Sequence, residues 1–99
     1  MNYYHIRVYT PFFGEEADVY IAAEDEAQYL AKAHNAAMEN GMERYDEEEW
    51  LKCQEYDKDE ENYDEVCDEY YAQCGWRLLS ADLSKKEYEQ KEAEGEWCI

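Results

Sequence analysis

The side chains of this 99-residue chain that could do chemistry are mostly carboxylates: 27 Asp and Glu stand against 9 Lys and Arg, a formal net charge of −18 at pH 7. Beside them are four cysteines (Cys53, Cys67, Cys74 and Cys98), two histidines (His5 and His34), two serines and one threonine. The hydroxyl residues sit in no G-x-S-x-G, P-loop or G-x-G-x-x-G pattern, so neither an activated nucleophile nor a phosphate cradle is encoded. His5 falls on the outward side of a strand with nothing nearby in sequence to make it a general base. His34 falls on the apolar side of a helix, where a packed core histidine is expected in place of a ligand. Carboxylates are so numerous that no single pair is singled out as acid and base. The expectation is a protein that is not an enzyme, with no catalytic residues and no cofactor.

Metal chemistry fares no better. The cysteine spacings of 14, 7 and 24 contain no C-x-x-C. On a helix Cys67 and Cys74 are two turns apart, about 10 Å along the axis, too far for a shared bond or metal. Asp57, Asp59, Glu61, Tyr63, Glu65 and Asp68 fall at positions 1, 3, 5, 7, 9 and 12 of an EF-hand register. That register requires Gly at its sixth position and Glu at its twelfth; the chain has Asn62 and Asp68, so no metal site is expected. The N-terminal residues MNYYHIRVYT alternate and show no basic region followed by an apolar run, and no stretch approaches the roughly 18 apolar residues of a membrane span. A cytoplasmic location with four reduced thiols acting as small hydrophobes follows as the expectation.

The acids are not spread evenly. Residues 1–40 carry a net −5, residues 41–73 a net −11 and residues 74–99 a net −2. Asp57, Asp59, Glu60, Glu61, Asp64, Glu65, Asp68 and Glu69 put eight carboxylates in thirteen positions. A helix over them would be about 18 Å long, with about one charge per 2.3 Å. Duplex DNA carries about one per 1.7 Å. Asp57, Glu61, Glu65 and Glu69 run at i+4, as do Glu60, Asp64 and Asp68, and like charges so spaced oppose helix formation by a few tenths of a kcal/mol per pair. A surface shaped only for solubility would intersperse Lys. With Lys58 as the one base in those thirteen positions, the pattern reads as a partner-binding face that imitates a phosphate backbone. The same charge argues against direct nucleic-acid binding and against docking on an anionic membrane, both of which need cations. It points to a basic partner.

The elements that position these residues are legible from periodicity. Tyr4, Ile6 and Val8 alternate with Tyr3, His5, Arg7 and Tyr9, and Val19, Ile21 and Ala23 mark one face of a second strand beyond Pro11 and Gly14, so residues 1–23 read as a β-hairpin. Ala27, Leu30, Ala31, His34, Ala37 and Met38 then fall at helical spacing, with Asp25 and Gln28 placed for a capping box and Gly41 as the stop. Asp46 and Glu49 can cap a further helix ahead of Trp50. Tyr63, Val66, Cys67, Tyr70, Tyr71 and Cys74 form one apolar helical stripe with the acids opposite. The stripe fails around Asp57–Glu61, which favours two helices or one sharply bent helix over a continuous rod. Trp76, Leu78, Leu79 and Ala81 indicate a third strand, and Ser84 with Glu87 caps a last helix that has only Tyr88 and Ala93 to bury, aided by a Glu87–Lys91 pair. The sum is a single α+β domain over residues 1–99, in the order ββααβα. Its small antiparallel sheet is expected to be packed on one side by three to four helices.

Chain length, acidic excess, the hairpin followed by AEDEAQYLAKAHNAA and the acid-coated segment Asp57–Glu69 together resemble a class of small acidic inhibitors encoded by phages and mobile elements. That class includes DNA mimics such as the uracil-DNA glycosylase inhibitor and many anti-CRISPR proteins. The resemblance implies an anti-defence inhibitor seated where nucleic acid would bind on a basic nucleic-acid-binding protein, such as a CRISPR effector. It carries over no functional residue. Glu47 and Glu48 extend the acidic candidates, and Phe12 with Phe13 in the hairpin connection are candidate apolar anchors. A second reading is a non-enzymatic adaptor that binds through those two phenylalanines and an exposed aromatic patch of Tyr3, Tyr9 and Tyr20 beside Arg7.

Overall fold

A computed structural model of the chain describes residues 1–11, 16–46, 50 and 69–99. The alternating N-terminal sequence forms β1 (Asn2–Tyr9), which pairs antiparallel with β2 (Glu16–Ala23) from Asn2↔Ala23 to Tyr9↔Glu16. A third strand, β3 (Gly75–Leu83), pairs antiparallel with the other edge of β1, giving the order β2-β1-β3. Period-2 alternation places Ile6, Val8, Val19, Ile21 and Ala23 on one face, where all are fully buried. Each of the Val and Ile side chains contributes about 1.5–3 kcal/mol on leaving water. The architecture is α+β, as the sequence pattern indicates.

Helix α1 (Glu26–Arg44) covers that face. Its start follows the capping logic: Gln28 N–H donates to Asp25 Oδ1 at 2.8 Å, while the Gln28 side-chain oxygen accepts from the Glu24 N–H at 2.7 Å. Two expectations for this helix fail. The buried stripe is Tyr29, Ala33, Ala36, Ala37, Asn40 and Gly41, so Leu30 is 45% exposed, and Ala27, Ala31 and His34 also face outward. The cause is close approach. Alanines at Ala33, Ala36 and Ala37 let the helix backbone sit down on the sheet, and Tyr29 fills the end of the interface by stacking on Tyr4, with ring centroids 4.1 Å apart. Trp76 of β3 then donates its indole N–H to the Tyr29 hydroxyl at 3.3 Å and meets the His34 ring edge-on.

Gly41 is likewise not the stop, because the helix runs on to Arg44. Its role is a packing notch: a Cβ there would lie 2.8 Å from Cys74 Sγ. Residues 69–73 are helical, and Tyr70 and Cys74 press into this notch from the chain leading to β3.

The last helix, α2 (Lys85–Ala93), is capped by Ser84, whose Oγ accepts from the Glu87 N–H at 3.1 Å. It lies on the opposite face of the sheet from α1, contrary to the one-sided packing expected: Tyr88 packs on Tyr3 with centroids 5.0 Å apart. Tyr3, His5 and Tyr20 make that second face apolar enough to hold it. Ala93 is exposed, and Lys91 pairs with Glu94 at 3.6 Å and lies over the Tyr20 ring. Beyond α2 the chain returns along the outer edge of β2. Tyr20 N–H donates to Trp97 O, Ile99 N–H to Tyr20 O, and Ala22 N–H to Ile99 O, at 2.8–2.9 Å. One sheet edge is thus closed by residues 97–99. The other, β3, has its ladder interrupted at Leu79 and again between Ser80 and Leu83.

Candidate functional site

Of the acidic candidates, Glu69 lies within the described residues, where it is exposed at the start of the helical turn 69–73. Asp57, Asp59, Glu60, Glu61, Asp64, Glu65 and Asp68 lie outside them, as do Glu47, Glu48, Phe12 and Phe13, the Glu49 half of the second capping box and the proposed break at Asp57–Glu61. The described residues give the anchorage of this acidic stretch. At its C-terminal end exposed Glu69 adjoins buried Tyr70, and Cys74 one turn on is buried again, the phase of an apolar stripe with acid opposite.

Tyr70 is fully buried. Its hydroxyl donates to Gly41 O at 2.9 Å, which ties the last turn of α1 to the segment leading to β3. Its ring is met by Tyr45 at 4.6 Å, by Tyr71 at 5.1 Å and by Trp50 at 5.4 Å, the last two edge-on. Trp50 is also buried, and its N–H donates to Asp46 O at 2.9 Å. Trp50, Tyr70 and Cys74, with Met38, Tyr45 and Tyr71 around them, form a second, aromatic cluster distinct from the aliphatic core under α1. A straight helix from Trp50 to Tyr70 would hold those rings about 30 Å apart. Instead the two rings meet edge-on.

The second face of the sheet carries a compact set of polar contacts that the sequence pattern did not single out. Asp18 Oδ1 accepts from Arg7 Nε and pairs with His5 Nε2, both at 3.1 Å. Burial opposes ionisation of Asp18, but the hydrogen bonds from His5 and Arg7 and their charge outweigh it and hold its pKa below the usual value. Arg77 reaches past the Tyr9 ring to Glu16 at 2.7 Å. The clue was register: Arg7 stands directly opposite Asp18, and Tyr9 opposite Glu16. All these charges are internally matched.

The exposed aromatic patch expected on this face does not exist as such. Tyr20 is only 6% exposed, under the stacked His5 ring and beside the returning chain; Tyr3 is covered by Tyr88, and Tyr9 lies under Arg77. Burial pushes the Tyr20 and Tyr88 phenols up. It does the same to the free thiol of Cys98, helped by Glu92 and Glu96, which keeps that sulfur protonated and weakly nucleophilic. The thiol of Cys74 donates to Tyr70 O. Among the described residues there is no group of three or more His, Cys, Asp or Glu side chains able to hold a metal ion, and no helix long and apolar enough to cross a membrane.

Compared with known protein families, with curated proteins and with solved structures, the chain matches none.

Proposed function

We propose that this protein is an acidic, non-enzymatic inhibitor of the phage anti-defence type. It occupies the basic nucleic-acid-binding groove of a partner, such as a CRISPR effector, inside a bacterial cytoplasm, with the carboxylates of Asp57–Glu69 standing in for phosphates. The observation that carries this reading is the concentration of charge: net −11 in residues 41–73, with eight acids in thirteen positions, which on a helix would be spaced at about 2.3 Å against about 1.7 Å in duplex DNA. Two structural features support it. Exposed Glu69 against buried Tyr70 and Cys74 fits a stripe whose acids face water. Arg7 and Arg77 of the described sheet face pair with Asp18 and Glu16 within that face, so their charge is matched there.

A groove built for phosphate attracts such a surface through long-range steering, so association is fast and weakens with salt. The test is capture of partners from a bacterial lysate at about 50 mM salt and again at about 200 mM. The expected result is a basic nucleic-acid-binding protein whose retention falls at least about tenfold across that range, the scale set by several neutralised phosphate-like contacts. Added DNA or RNA should displace it. A captured partner that is indifferent to both salt and nucleic acid would refute the reading.

A further inference from the structure

We draw no further inference here: the strongest candidate, the apolar surface patch of half-exposed Leu78 and Leu79 on β3, the strand left unpaired on its outer edge among the described residues, is interrupted as a strand template by the irregular ladder at Leu79, and nothing in the structure shows what covers it.

Discussion

The molecule has two packing centres of opposite character. The first, between α1 and the sheet, is built from Ile6, Val8, Val19, Ile21 and Ala23 against alanines, and lies in the part of the chain with the milder charge. The second joins Trp50, Tyr70 and Cys74 with two more tyrosines, and both chain ends of the most acidic stretch enter it. Aliphatic β-strands suffice where charge is sparse. Where like charges crowd, aromatic rings supply more contact area per residue and a hydroxyl that can reach a helix carbonyl, which offsets repulsion with few side chains. Met38 packs against both clusters, so the two centres are physically joined.

That contrast can be broken by substitution. Removing the indole in Trp50→Ala should cost about 3–5 kcal/mol and Ile6→Ala about 2–5 kcal/mol, measured by denaturant unfolding. Because Met38 links the centres, each substitution should shift one cooperative transition, seen alike by tryptophan fluorescence and far-UV circular dichroism. Two separated transitions would show that the aromatic cluster is an independent unit. Gly41→Ala is subtler: the new methyl strikes Cys74 Sγ, so it should destabilise by about 1–3 kcal/mol despite the better helix propensity of Ala, and Cys74→Ala in the same chain should relieve most of that loss. Tyr70→Phe keeps the ring and loses only the bond to Gly41 O, for about 1 kcal/mol.

The smallest effect distinguishes the two faces of the sheet. Asp18 has a folded pKa below its unfolded value, so it contributes stability that is present above the unfolded value and lost as pH falls through the folded one. Asp18→Asn should therefore lower stability modestly at neutral pH and flatten part of the acid limb below about pH 4, where the two proteins converge. Tyr20 and Tyr88 act in the other direction. Their phenols are raised in the fold, so stability should fall as pH climbs past about 10, where the unfolded chain ionises first. Both limbs are read by thermal melts across pH.

How much was legible follows the same division. Strict alternation in β1 and β2 identified the hairpin and its buried face, and local capping residues identified the starts of α1 and α2, because both signals depend on neighbours within four residues. The face of α1 was missed because hydrophobicity favours Leu30, whereas close approach to the sheet favours Ala33 and Ala36; that choice is made by the partner surface. Gly41 was misread for a similar reason. A glycine after an apolar stripe resembles a helix stop, but here a cysteine 33 positions later needs its missing Cβ. The outward tyrosines read as a free surface in the sequence because nothing local announces that α2 and residues 97–99 return to cover them. Of the candidate site, the charge pattern was legible in full, while its anchorage through Trp50 and Tyr70 depends on contacts twenty residues apart.

If the acidic stretch is a binding surface in its own right, reversing its charge must abolish binding. The most direct test is a titration of the captured partner with the quadruple variant Glu61→Lys, Asp64→Lys, Glu65→Lys and Asp68→Lys, after circular dichroism has shown the variant folded. The folded variant should lose binding altogether. Unchanged affinity in the folded variant would contradict a binding role for this stretch.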